Sequence, residues 1–300
     1  MDSRVAGKRV CMATVVEENL EISVVPNLGW DSRIKCIKCG DLVRSYLIKT
    51  ERFVLIYDTL LGPKSGGFLR EQALSFAEGK PLVVVNSHAD WDHYFGNMVF
   101  PEMILGSQLM VKRVAGQVGQ KELDEKRREH PESYDSVSLC APTVGLSSNA
   151  TLYGGDLTLQ LFHTKGHRPD HLSLFIPEIS VLFPGDCVED PIPLVDEDSD
   201  EKSQTLDELI DSLHQFLRLK PQWVLANHAE PEFGVGRVQN NLKYLENLRR
   251  TARDAESLEQ LRELLPADLS WGKFYQTAHS NQVEMAWQQT RSMAEKWAED

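Results

Sequence analysis

Pro81-Leu82-Val83-Val84-Val85-Asn86 runs directly into Ser87 and then His88-Ala89-Asp90-Trp91-Asp92-His93, and these two stretches together decide how the chain folds. The first is short, apolar and β-branched, the composition of a strand buried on both faces. The second places four metal-donor side chains within six residues. Nitrogen and oxygen donors of this type hold zinc, iron or manganese at roughly 2.0–2.2 Å. Alternate side chains of an extended or tightly turned segment share a face. His88 and Asp90 can therefore converge on one ion while Asp92 and His93 address a second. A polar turn remains the plain alternative, since Asp and His are common in loops. A strand that delivers polar groups at its carboxyl end is where α/β folds place their sites.

The same local grammar recurs three times. Thr164-Lys165-Gly166-His167 follows a β-rich run and puts a histidine at a glycine-marked turn. Phe183-Pro184-Gly185-Asp186 does so with a carboxylate, and Asn227-His228 closes a third apolar run.

On these motifs the chain resembles the metallo-β-lactamase-fold superfamily over roughly residues 20–250. The family's HxHxDH signature corresponds to His88 through His93, with Gly96 at the family's glycine; T-x-G-H corresponds to His167, F-x-G-D to Asp186, and the last histidine to His228. The resemblance implies an α/β fold, a four-layer αββα sandwich of two mixed sheets flanked by helices. It further implies two divalent ions: one on His88, Asp90 and His167, one on Asp92, His93 and His228, and Asp186 bridging both. Zinc is the family default. One departure stands out, because the family's second histidine is Asp90 here. A carboxylate is harder and negatively charged, which moves preference toward iron or manganese. The family's di-iron branch also carries a carboxylate there, but no flavin-binding segment follows residue 250. Loss of the first ion, leaving a mononuclear site, is the other consequence Asp90 could have.

A dinuclear site of this kind lowers the pKa of a bridging water and stabilises an anionic transition state. Asp92 and Asp186 are then the catalytic carboxylates, Asp92 either orienting the nucleophile or serving as a ligand only. The resemblance implies hydrolysis, in most branches of lactams, lactones, thioesters or phosphodiesters; lacking a secretory signal and a basic module, the sequence points first to a small ester, lactone or thioester. An iron-dependent oxidoreductase on the same ligands, and a non-catalytic protein that keeps metals for folding, are the competing classes.

Outward from the motif, short β-rich runs fill the first third: Glu21–Val25, Ile34–Ile37, Leu42–Ile48 and Phe53–Tyr57. Helices are expected at 68–78, with Leu69, Ala73, Leu74 and Ala77 on one face, and around 119–130. Strands are expected at Met103–Leu105, Thr151–Tyr153, Leu157–His163, Leu172–Ile176, Val181–Phe183 and Trp223–Ala226. From Thr205 the apolar period turns helical through Leu206, Leu209, Ile210, Leu213, Phe216 and Leu217. Helices built on Leu242/Leu245/Leu248 and Leu258/Leu261/Leu264 follow, and a last one spans 280–298 with Val283, Trp287, Met293 and Trp297 as packing residues. Residues 1–250 are read as the metallo-β-lactamase-like domain and 251–300 as a helical extension packed on it. The stretch 191–204 is read as an acidic surface loop serving solubility ahead of a mobile lid.

A formal net charge of −13 opposes general binding to nucleic acid or anionic membranes. Met1–Val16 lacks a signal-peptide core, and no later run reaches the ~20 apolar residues of a spanning helix. A cytoplasmic protein acting on a small-molecule substrate is expected, with oligomeric state open. Cys36 and Cys39 form a lone CxxC in strand-like sequence and are read as ordinary thiols. Cys187, next to a proposed ligand, should point away from the metals. His163 and His171 are read as packing or surface residues ahead of ligand-orienting ones. Trp91 and Tyr94 are expected to line a cleft, with Lys165, Arg168 or Asn227 available to an anionic substrate.

Overall fold

The computed structural model describes residues 19–196 and 204–299, with side chains through Arg291. Two sheets lie at its centre. The first carries β1 (Ile22–Val25), β2 (Ile34–Cys39), β3 (Val43–Lys49), β4 (Val54–Tyr57), β5 (Leu82–Val85), β6 (Met103–Ser107) and β7 (Val144–Leu146), ordered as numbered. β1 to β4 pair antiparallel, and β4 to β7 pair parallel. The second sheet has the order β13-β12-β11-β10-β9-β8, built from β8 (Ala150–Tyr153), β9 (Thr158–His163), β10 (Leu172–Ile176), β11 (Val181–Phe183), β12 (Trp223–Val224) and β13 (Glu232–Phe233).

The period-2 alternation of side chains divides the apolar residues into three layers. Tyr46, Ile48, Leu55, Tyr57 and Val85 face Leu159, Leu161, Leu174, Val181 and Phe183 between the sheets. The other face of the first sheet, with Leu47, Val54, Ile56 and Val84, packs on α1 (Pro63–Ala77), α2 (Trp91–Tyr94), α3 (Gln108–Ala115), α4 (Gln117–Glu129) and α5 (Pro131–Tyr134). Phe162, Phe175, Leu182 and Val224 face α6 (Thr205–Leu219), α7 (Gly236–Asp254), α8 (Leu258–Leu264) and α9 (Lys273–Glu299). The result is the αββα sandwich expected.

Local signals explain the helix limits. Pro63 sits in the first turn of α1, where its missing N–H is harmless. Ser107 caps α3 by accepting from the Met110 amide, and Ser257 caps α8 through the Gln260 amide. α6 has Asp207 and Glu208 in its first turn and Arg218 in its last, matching the helix dipole. Its stripe Leu206, Leu209, Ile210, Leu213 and Phe216 is buried as the period requires. Each such side chain contributes about 1.5–3 kcal/mol at most.

Several expectations need correction. α1 begins at Pro63, five residues early, and Leu74 is exposed. The second half of the stripe on α8 also fails, since Leu264 is exposed. α3, β7 and β13 are present where no element was expected; β7 and β13 have only three and two residues. The expected division at 250/251 falls inside α7, which continues to Asp254. The expected acidic loop is not a surface feature in its first half: Ile192, Val195 and Asp196 are buried, while residues 197–203 lie outside the described residues. Met1–Val16 and the side chains of Met293 and Trp297 also lie outside them. Among the described residues no helix is long and apolar enough to cross a membrane.

Candidate metal centre

The strand ends converge. β4, β5, β9, β11 and β12 all stop at one edge of the sandwich, and the seven donors read from the sequence follow four of them. The structure brings all seven together. His88, Asp90 and His167 offer ligand atoms within 4.8 Å of one another, as do His88, His93 and Asp186, and Asp92, His93 and His228. Asp186 Oδ2 is central: it lies 3.0 Å from His93 Nε2, 3.1 Å from His228 Nε2, 3.5 Å from His88 Nε2 and 3.7 Å from His167 Nε2. Asp90 Oδ2 stands 3.5 and 3.6 Å from His88 and His167. Asp92 faces the other pair, 3.2 Å from His228 and 3.7 Å from His93.

The second nitrogen of each ring says how the first is used. His93 Nδ1 donates to the Asp58 carboxylate, His167 Nδ1 to the Leu194 carbonyl and His228 Nδ1 to the Leu42 carbonyl. Ser87 Oγ donates its one proton to Asp58 Oδ2 at 2.7 Å, so the His88 Nδ1 beside it must be the donor. All four rings therefore turn an Nε2 lone pair into a space that three carboxylates also face. His88 Nε2, His167 Nε2, Asp92 Oδ2 and Asp186 Oδ1 are buried there without a hydrogen-bond partner. Lone pairs and carboxylates crowded like this repel unless a cation lies among them, so the residues present fit divalent metals.

The titration directions say the same. Burial alone would lower the pKa of His93 and His228, but Asp186 and Asp92 push both well above the ordinary histidine value. Burial would raise Asp186, yet His228, His93 and His88 hold it well below the usual carboxylate range. His88 is lowered, by burial and then by His93. Around Asp186 and Asp92 the pocket calls for positive charge that the histidines facing them supply only by protonation.

Four supporting residues were missed or misread from sequence. Asp58, fully buried after β4, accepts from the Ser87 amide and hydroxyl, His93 Nδ1 and Asn227 Nδ2. Its signal was the strand-then-carboxylate grammar of the other donors. His171, expected to pack or lie at the surface, instead braces the Asp186 turn: its Nε2 accepts from the Asp186 amide. The protons then run one way, from His171 Nδ1 to Thr164 Oγ1, to Ser173 Oγ, to the Pro184 carbonyl. Burial, then His88 and His167, keep this ring neutral by lowering its pKa well below the ordinary value. Gly185, at φ 58°, admits that ring; a Cβ there would lie 2.2 Å from His171 Nε2. Glu189 is buried 3.9 Å from His167 Nδ1, accepts from the Tyr275 hydroxyl of α9, and is raised to about 7 by burial. Asp196 pairs with Arg168.

Other expectations fail on geometry. Trp91 and Tyr94 belong to the outer core rather than a cleft, Trp91 packing edge-on against Tyr134. Asn227 is buried between Asp58 and the Arg44 carbonyl and Arg168 is taken up by Asp90 and Asp196, whereas Lys165 stays exposed beside Glu208. His163 lies at the end of β9 with its amide on Asn149. The cysteine readings hold: Cys36 and Cys39 lie on opposite faces of β2, and Cys187 points into the helix-side core.

The family model of the metallo-beta-lactamase superfamily matches residues 40–228. A search among curated proteins found no significant match. Among solved structures, a metallo-β-lactamase family protein from Thermus thermophilus is similar with a TM-score of 0.63 at 16% identity, covering 92% of this chain and 94% of its own. A metallo-β-lactamase from Pontibacter korlensis aligns with a TM-score of 0.54 at 16% identity, over 76% of this chain and 100% of its own. The FIM-1 enzyme of Pseudomonas aeruginosa, in a mono-zinc form, gives 0.54 at 14% identity, over 75% and 95%.

Proposed function

The chain belongs to the metallo-β-lactamase superfamily, and from that premise we propose that it is a metal-dependent hydrolase of a small ester, lactone or thioester, using two divalent ions with zinc as the first choice. One observation carries the reading: four histidines tied down at Nδ1 aim Nε2 at three carboxylates. His88, Asp90 and His167 would hold the first ion, Asp92, His93 and His228 the second, with Asp186 between them. Ions bound there would supply Lewis acidity and bring the pKa of water toward neutrality.

The chain's own groups do the rest. Asp186 Oδ2, within 3.7 Å of all four Nε2 atoms, keeps the two donor sets in one geometry. Asp92 presents an oxygen with no hydrogen-bond partner, a place for a proton removed during attack. Asp58 fixes the ring of His93, and Leu194 and Leu42 fix those of His167 and His228. The acidic balance of the chain favours a small solute over nucleic acid or a membrane surface. Thiols at Cys36, Cys140 and Cys187 support a reducing, cytoplasmic setting.

The test is metal analysis of purified protein together with turnover of an ester, lactone and thioester panel. About two ions per chain and hydrolysis lost on chelation are expected, with Asp186→Ala stripping metal and activity together. Iron with oxygen consumption and no hydrolysis would refute the reading.

A further inference from the structure

Asp90 does not face the first donor set alone. Arg168 Nε donates to both its oxygens, at 2.9 and 3.0 Å, and Arg168 Nη1 donates to Asp196 Oδ1 at 2.9 Å. The three side chains are largely buried, at 19%, 15% and 5% exposure for Arg168, Asp90 and Asp196. A guanidinium keeps its charge across the whole working pH range. Among the described residues no lysine or arginine pairs with Asp92 or Asp186. The first donor set thus has a buried guanidinium against its carboxylate, itself held by Asp196, and the second has none among the described residues. The arginine also sets the aim of the carboxylate, leaving Asp90 Oδ2 as the oxygen that meets His88 and His167.

We propose that Arg168 is a positioning residue that makes the His88/Asp90/His167 position the weaker, second-filled metal position, and the Asp92/His93/His228 position the first to fill. The inference rests on the dinuclear reading above. A unit positive charge held against a metal-binding carboxylate repels a divalent ion and offsets the negative charge that drew it. Asp90 and Arg168 together then present what a neutral histidine would, so the hardness of the carboxylate alone no longer selects iron or manganese.

The experiment is a Co²⁺ titration of the metal-stripped full chain, followed by absorption of the bound ion and by calorimetry. Wild-type protein takes up two ions in separated steps. His167→Ala keeps the tight step, and His228→Ala keeps the weak one. Arg168→Met tightens the weak step by roughly tenfold or more, the scale expected for one buried charge a few ångströms away. Arg168→Met/Asp196→Asn tightens it as well, by less because the negative charge of Asp196 goes too, and serves where the single variant, which leaves Asp196 unpaired, does not fold. Arg168→Lys keeps the charge and keeps the separation. Two equal steps in wild type, a weak step unmoved by both arginine-to-methionine variants, or a weak step lost in them overturns the proposal while the dinuclear reading stands. No Co²⁺ uptake at either position overturns both.

Discussion

Asp58 and His93 meet carboxylate to ring at 3.0 Å, and neither is open to solvent. The contact holds the His93 proton on Nδ1 and points Nε2 at Asp186. Replacing Asp58 with Asn puts an amide donor beside a ring N–H that needs an acceptor. Asp58→Asn should weaken metal binding about 10–100-fold with the fold retained, as loss of an orienting partner generally does. Competition against a chromogenic chelator measures this, and an unchanged affinity would remove Asp58 from the site.

Gly185 is where the backbone turns and His171 approaches. Gly185→Ala brings a methyl to 2.2 Å from His171 Nε2 at a φ of 58° that alanine also disfavours. A loss of about 2–4 kcal/mol is expected from the clash and the strained backbone combined. Urea unfolding of the metal-free protein reads this directly, and a loss under about 1 kcal/mol, the least that such a strained backbone should cost, would show that the ring moves aside freely.

The loop 191–196 is anchored from the far end of the chain. Val195 N–H donates to Gln282 Oε1 on α9 at 3.1 Å, and Gln282 is fully buried. Gln282→Leu leaves that amide unsatisfied, which should destabilise by about 1–3 kcal/mol. Because the preceding residue, Leu194, holds the His167 ring, uptake at the first metal position should weaken too. Hydrogen exchange at Val195 that stays slow in the variant would contradict this linkage.

Thiol chemistry supplies the pH test. The nucleophile is the thiolate, and burial pushes Cys36 up to about 12 and raises Cys187 further still. A raised pKa removes thiolate at neutral pH, so both should resist Ellman's reagent from about pH 7 to 9 and react only on unfolding. Cys140, the one described cysteine that is not fully buried, should react first. Rapid labelling of Cys36 in folded protein, detected by peptide mass, would argue that β2 opens.

Strong local patterns were readable before the fold was known. The four valine- and leucine-rich runs ending in His or Asp mark strands that stop at one edge of the sandwich, so the seven candidate donors are legible in the sequence. What could not be read is whatever depends on a partner far along the chain. Asp58 stands alone after β4 and acquires meaning only through Ser87, His93 and Asn227. Arg168 reads as a rim cation until Asp90, 78 residues earlier, is seen to occupy it. Trp91 sits inside the metal motif, yet one turn of α2 rotates it into the outer core against Tyr134. β7 and β13 are too short to show any period.

The anchoring of Val195 by Gln282 has a temporal consequence. These residues are separated by 87 positions, and the four donors of the first motif are made far ahead of either. A growing chain presents His88 to His93 early, but the loop that aims His167 gains its brace only once α9 has been synthesised and docked. The candidate site therefore reaches its final geometry only late in biogenesis, and an interrupted chain would leave the ribosome with donors but without a finished site.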